Sequence, residues 1–373
     1  MNHLLLQSSD LADLHDKVRA GERLSEDDAL RLFRSRDLNT LGSLADIVRQ
    51  RKVGNRASYI LNRYINYSNY CILSCQFCAF SRKKRDQDGF ELNVEQIVQK
   101  AREALSIGIT ELHIVGGLHP SLPFSYYLDM LRSLKALDAR LQLKCFTAIE
   151  ILHLAWQAKK TLRGTLQELK AAGLDSLTGG GAEIFRPSVR SAIAKGKESA
   201  EEYLEVHRVW HQLGGRSTCT MLYGHVESIE DRIDHLRQLR ALQDETGGFT
   251  GFIPLAYQPD NNLIEVKTAP SGFDSLRTLA ISRLYLDNFD HITAYWVGLG
   301  MRLAQVALSY GADDIHGTIL EEHIFHMAGS KTPQLQTETD MIQAIREAGR
   351  EPVQRDTFYQ VIRSHGNPKS AAS

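Results

Sequence analysis

Residues 63–80 read RYINYSNYCILSCQFCAF: an alternating, strand-like run that breaks into a loop carrying Cys71, Cys75 and Cys78. The run before the cysteines is the first of eight with the same character. The others are TELHIVGG (110–117), LQLKCFTA (141–148), DSLTGGG (175–181), RSTCTMLYG (216–224), GFTGFIPLA (248–256), HITAYWVGL (291–299) and DDIHGTIL (313–320). Between most of them lie amphipathic helical stretches such as VEQIVQKAREALSIG (94–108), SYYLDMLRSLKAL (125–137) and AEEYLEVHRVWHQLG (200–214). Strand alternating with helix predicts parallel βαβ units, and eight of them predict a closed (β/α)8 barrel over residues 56–329. The competing architecture is an open doubly wound sheet. Residues 1–55 carry three-to-four apolar spacing and predict a helical extension, with SEDD (25–28) opening like a capped helix. Residues 330–373 predict a polar tail with one helix at TETDMIQAIREAGR (337–350) and a loose end at 366–373.

Composition narrows the function classes. Forty-four basic against 45 acidic residues leave a net charge of -1, a poor match for gripping nucleic acid through its phosphates. No segment has the ~18 uninterrupted apolar residues of a membrane span, and the first residues turn polar too soon for a secretory signal. We therefore expect a cytoplasmic protein with no membrane partner, in which 5 cysteines point to metal or redox chemistry rather than to disulfides.

The spacing C-x3-C-x2-C lies at a strand end. Structural zinc takes four ligands, and no fourth Cys or His stands nearby in a finger-like spacing. Cys145 and Cys219 fall in strands and are better read as small buried apolar residues. Three cysteines on a cubane iron–sulfur cluster leave one iron open to bind something else. The barrel reading also places active-site residues at strand ends. The unusual residues collect there: Gly116 and Gly117 in HIVGGLHP (113–120), Thr147 and Glu150 in TAIE (147–150), Glu183 after the triple glycine of LTGGGAEIF (177–185), and His225 in LYGH (222–225). His119 and His153 are weaker candidates. The charged run RKKRDQD (82–88) is most simply a solvated loop, with a lid as the alternative.

The cysteine spacing, the aromatic Phe77 before the third cysteine, and the position after the first strand together resemble the radical S-adenosylmethionine (SAM) enzymes. The resemblance implies a 4Fe-4S cluster on Cys71, Cys75 and Cys78 whose open iron chelates SAM. It further implies that Phe77, Gly116, Gly117, Thr147, Glu150, Glu183 and Arg190 contact SAM. Longer stretches, among them TELHIVGGLHPSLPFSYYLDML (110–131), LDSLTGGGAEIF (174–185) and GLGMRLAQVALSYGADDIHGT (298–318), resemble the aminofutalosine synthases of the futalosine route to menaquinone. Related families are the dehypoxanthine futalosine cyclases and the deazaflavin-forming enzymes. The cyclases typically carry Gln where this chain has Val115 and tend to lack the LYGH histidine, so both positions favour the synthases.

The implied reaction adds the 5′-deoxyadenosyl radical to the enol-ether double bond of 3-[(1-carboxyvinyl)oxy]benzoate. Rearrangement and loss of carbon dioxide or bicarbonate follow, with an external electron donor such as flavodoxin or ferredoxin. Such a substrate calls for cationic or hydrogen-bonding groups and flat apolar walls. The candidates are Arg56, Arg63, Asn66, His225 and Arg283 for the carboxylates and Tyr257, Tyr295 and Trp296 for the ring, with His225 also the candidate for moving a proton. A non-catalytic iron–sulfur or zinc protein is the reading from a different class.

Overall fold

The computed structural model describes residues 9–366 of the chain. Among the described residues there are ten strands: β1 Arg56–Ile60, β2 Asn62–Asn66, β3 Glu111–Val115, β4 Gln142–Cys145, β5 Ser176–Leu177, β6 Arg216–Tyr223, β7 Phe249–Ala256, β8 Asp314–Gly317, β9 Glu351–Arg355 and β10 Val361–Ser364. β2 to β7 form a parallel sheet in sequential order, and β10, β9, β1 and β8 form a second, mixed sheet. Two parallel bridges, Phe252 with Ile292 and Thr293 with Asp314, join β7 to β8. β8 pairs parallel with β1, which runs into β2 across the single residue Leu61. The ring is thus closed, as the eight-strand alternation predicts, and the open sheet is excluded.

Two expectations are corrected. HITAYWVGL supplies only the two bridging residues Ile292 and Thr293 before a short helix, Trp296–Leu299, turns the chain away. The C-terminal segment contains the expected helix, Glu338–Glu347, but then returns as β9, parallel to β1, and β10, antiparallel to β9. The readings of residues 1–8 as lacking a signal and of 367–373 as loose lie outside the described residues. The extension before β1 folds as three helices, Ala12–Ala20, Glu26–Arg34 and Leu38–Val53. Ser25 and Asp28 cap the second reciprocally, and buried Asp28 pairs with Lys17 at 3.0 Å.

The barrel interior departs from the branched aliphatic filling that such barrels ordinarily carry. Register places Tyr64, His113, Lys144 and Ser176 side by side across β2 to β5, and Asn62, Glu111 and Gln142 in the row nearer the strand starts. The segment entering from β9 closes that lower row. Thr357 donates its hydroxyl to Glu111 and its N–H to Gln142, while the Arg355 Nε donates to Asp314 at 2.7 Å. Ser58 and Thr293 also donate to the Asp314 carboxylate. A polar row can be enclosed only when its groups find partners, and the C-terminal segment supplies them.

Truncating Arg355 (Arg355→Ala) leaves Asp314 buried without its cation. The expected loss is about 3–5 kcal/mol, read as a lower urea midpoint. Burial raises the Asp314 pKa, but Arg355 and the hydrogen bonds outweigh it and hold the carboxyl at about 2. The pair therefore stabilises fully above the unfolded carboxylate pKa of about 4, and its contribution is lost as pH falls toward 2. The gap between wild type and variant should close over that acid range.

Candidate active site

β2 delivers the chain into the cysteine loop, which other segments hold from three sides. Lys83 donates its ammonium to the carbonyls of Cys71 (2.9 Å), Ile72 (3.2 Å) and Leu73 (2.6 Å). The Gln76 N–H donates to the Ile193 carbonyl, and the Gln76 carbonyl accepts from the Leu263 N–H. The run 82–88 is therefore not simply solvated: Lys83 clamps the loop, while Lys84 and Arg85 are exposed. Under the loop lies the end of β3. A Cβ on Gly117 would stand 2.3 Å from the Tyr70 carbonyl oxygen and 3.1 Å from the Cys71 Cβ, and one on Gly116 would stand 2.6 Å from the Tyr67 ring. Both glycines are required by that close approach.

The three thiols are free, partly exposed, and line one end of a cavity of about 270 Å³ inside the barrel mouth. Among the described residues no three His, Cys, Asp or Glu side chains converge tightly enough to hold a single ion. Three thiols on one loop, with no fourth Cys or His beside them among the described residues, suit a cluster, where each binds a different iron, better than a four-coordinate structural zinc. Burial pushes the Cys75 thiol up to about 11 and raises Cys78, so a bound metal would have to ionise them. Together with the glycine-walled space beside them, these residues fit a 4Fe-4S cluster and its SAM. Cys145 and Cys219 are buried, as expected of apolar fillers.

The other sequence candidates divide. Phe77, Gly116, Gly117, Thr147 and Glu183 line the cavity. Glu150 does not: as the third residue of the helix Ala148–Ala158 it closes a capping box. Its carboxylate accepts from the Thr147 N–H and hydroxyl, the Tyr67 hydroxyl (2.7 Å) and the Gly116 N–H (3.0 Å). It braces the glycine pair instead of reaching a ligand. Arg190 also turns away, donating to the carbonyls of Ala182, Ile184 and Glu198 and so tying down the triple-glycine turn. His225 is locked by its own loop, its Nδ1 accepting from the Val226 N–H (2.7 Å) and its Nε2 donating to the Leu222 carbonyl (3.1 Å). Burial lowers its pKa, and it does not line the cavity, so it is not placed to move a proton there.

The same holds for the substrate candidates, except that Tyr257 and Tyr295 are in the wall. Arg63 pairs with Glu103 and Glu321, Arg283 with Asp313, Asn66 donates to the Val115 carbonyl, and Arg56 borders a cavity at the opposite end of the barrel. Trp296 donates to the Gly317 carbonyl. His119 binds Glu91, and His153 donates to the His119 carbonyl.

A lysine that no motif singled out, Lys197, does line the cavity. It pairs with Glu183, and its ammonium lies 5.4 Å from the Phe77 ring centre. Burial opposes its charge, but Glu183 and Glu198 outweigh this and raise its pKa. Glu183 adopts φ of 45°, a left-handed conformation that a non-glycine residue holds only under constraint. The signal that could have found Lys197 is its distance from Glu183, which a turn-and-helix return after the triple glycine makes short.

Gly117→Ala should displace the cysteine loop, and iron bound per chain after anaerobic reconstitution should fall severalfold. Lys83→Met should lower the same iron content by a smaller margin, with Lys83→Arg closer to wild type.

Comparison with known proteins agrees with this geometry. Residues 65–239 match the model of the radical SAM superfamily, and residues 246–367 that of the CofH/MqnC C-terminal region. The chain is 46% identical to the aminodeoxyfutalosine synthase of Thermus thermophilus, covering 95% of this chain and 96% of that one. It is 38% identical to the cyclic dehypoxanthine futalosine synthase of Streptomyces coelicolor, covering 98% and 92%. The solved structure of methylornithine synthase shares the fold, with a TM-score of 0.74 at 19% identity over 91% of this chain and 97% of that one. The chain belongs to the radical SAM superfamily and, within it, to the family of the aminodeoxyfutalosine synthases.

Proposed function

We propose that the chain joins the adenosyl group of SAM to 3-[(1-carboxyvinyl)oxy]benzoate. The products are methionine, carbon dioxide or bicarbonate, and 6-amino-6-deoxyfutalosine, a step of menaquinone biosynthesis. The observation that carries the reading is the 46% identity to an aminodeoxyfutalosine synthase over nearly both full lengths, against 38% to the cyclase. An external one-electron donor such as flavodoxin or ferredoxin, and a cytoplasmic location, belong to the same proposal. No described helix is long and apolar enough to cross a membrane.

When bound, the cluster supplies the electron that splits SAM into methionine and a 5′-deoxyadenosyl radical. The chain's own residues then have three tasks. Lys197 holds the methionine carboxylate beside the cysteines, an anchoring that a charge-assisted hydrogen bond makes strong. Gly116, Gly117, Phe77 and Thr147 shape the SAM end, with Glu150 and Arg190 bracing the turns that present them. Val115, Leu222, Ile253, Leu255, Ala256 and Phe325 wall the remainder with apolar groups and keep water from a reactive carbon. Val115 is one of the two positions that favour the synthases, and its place in this wall supports the assignment; His225, the other, stands outside it.

Anaerobic, reduced enzyme given SAM and the enol-ether benzoate should yield aminofutalosine by mass spectrometry. Release of free 5′-deoxyadenosine in its place would favour the cyclase. Lys197→Ala should raise the KM for SAM roughly 10- to 100-fold, the worth of one hydrogen bond to a charged group.

A further inference from the structure

The cavity has a second end that the SAM-binding groups leave unused. His113 lies three residues before Gly116 on β3, roughly 10 Å deeper into the barrel at strand rise. It lines the cavity together with Tyr64, Tyr295 and His316. The four rings form one cluster. Tyr64 stacks on His113 with centres 4.2 Å apart and planes at 14°, the Tyr64 hydroxyl lies 3.3 Å from the His316 Nε2, and Tyr295 meets His316 edge-on at 5.1 Å. His316 holds φ of 70°, a strained conformation for a side chain of its size, at the end of β8.

The cluster is short of partners. The Nδ1 atoms of His113 and His316 are buried without hydrogen bonds among the described residues, and a buried polar atom left so costs about 1–3 kcal/mol. Those atoms are sealed off, whereas the His113 Nε2 is neither buried nor hydrogen-bonded among the described residues, and this open ring nitrogen in the cavity wall points to a ligand. The charge around His113 decides which ligand. Lys144 is its neighbour in register on β4, with Glu111 beneath on its own strand. Asp314 and Arg355 lie behind His316, and Glu322 is in the wall across from it. Glu111 and Asp314 are already held by Asn62, Thr357, Ser58 and Arg355. Burial first, then Lys144, holds the His113 pKa at about 3, and burial likewise holds His316 at about 3. Both imidazoles are therefore neutral and carry an N–H to donate.

We propose that His113 donates a ring N–H to the ring carboxylate of the substrate at the cavity floor, with Tyr64 and His316 positioning it, so that His113 selects a benzoate. The ring carboxylate is the one assigned because the alkene and the carboxylate it carries have to lie at the SAM end, which leaves the carboxylate meta to the ether oxygen as the group that reaches deeper. Lys144, one strand over, offsets the anion's charge. This rests on the function proposed above.

The test is equilibrium binding, without reductant, to the reconstituted SAM-loaded enzyme of 3-[(1-carboxyvinyl)oxy]benzoate and of the analogue whose ring carboxylate is a carboxamide. Wild type should prefer the diacid roughly 10- to 100-fold. His113→Leu and His113→Phe should erase that preference, His113→Gln, which keeps an N–H, should retain most of it, and SAM affinity should be unchanged in all three. An undiminished preference in the Leu or Phe variant overturns the assignment. So does a wild type that binds acid and amide alike, a result that needs no variant to fold. Failure of the parent reading shows separately, as wild-type enzyme that cleaves SAM under reduction yet forms no adduct with the diacid.

Discussion

The site depends on one steric constraint: the end of β3 and the start of the cysteine loop approach so closely that no side chain fits between them. With the Tyr70 carbonyl 2.3 Å from where a Gly117 Cβ would be, the loop rests directly on backbone. The Gly117 N–H donates to the Ser68 carbonyl, and the Ile72 N–H to the Leu118 carbonyl, so the two segments are also bonded across the contact. This fixes where the thiols stand relative to the strand ends. Glu150 then fixes the glycine pair from behind, linking Tyr67 after β2, Gly116 after β3 and a helix N-terminus at Thr147 through one carboxylate. That carboxylate is buried, which raises its pKa, and four donors make its enclosure tolerable.

A second dependence runs from the opposite end. A barrel lined with Asn62, Glu111, Lys144 and Asp314 could not be dry at its base without partners for those groups. The β9 segment provides them for Glu111 and Asp314, while Asn62 pairs with Glu111, and the result makes residues some three hundred positions apart in the chain part of one enclosed network. The tail is therefore part of the barrel's floor. Its packing also leaves the rings of Tyr64, His113 and His316 above it free of charged partners within hydrogen-bonding range of the two Nδ1 atoms.

Much of this was legible in the sequence because it is local. Strand and helix periods, the cysteine spacing and the glycine pair are all properties of short windows, and apart from HITAYWVGL, most of which is not strand, each stands where the alternation places it. What was not legible depends on contacts between distant segments. Pro352 and the short run around it argue weakly for a strand, and only β1, far upstream, makes β9 one. Arg190 and Glu150 have the chemistry of ligands, but neighbouring carbonyls and a capping box claim them first. His225 sits in a motif that resembles the family, yet its two nitrogens are both taken by its own loop. Conversely, Lys197 is one polar residue in the loop after the helix Pro187–Ile193 and His113 one polar residue within a strand, and only the closed ring turns them toward the same space.

The cavity's two ends differ in how they handle charge, and burial explains the difference. At the mouth, Lys197 remains a cation because Glu183 and Glu198 stand against it; burial lifts Glu198 to about 7 even with Lys197 and Arg190 nearby. A preformed ion pair of this kind can exchange one carboxylate for another at small electrostatic cost, which suits an amino-acid moiety that brings its own ammonium and carboxylate. At the floor a second cation beside Lys144 would meet both that ammonium and a low-dielectric wall, which would penalise it severely. Neutral imidazoles avoid that penalty in the empty site and still offer directed N–H groups when an anion enters. The same barrel can thus meet a zwitterion at its rim with charge and an arene carboxylate at its base with dipoles, and the order of the two along β3 sets the direction in which the alkene faces the cysteines.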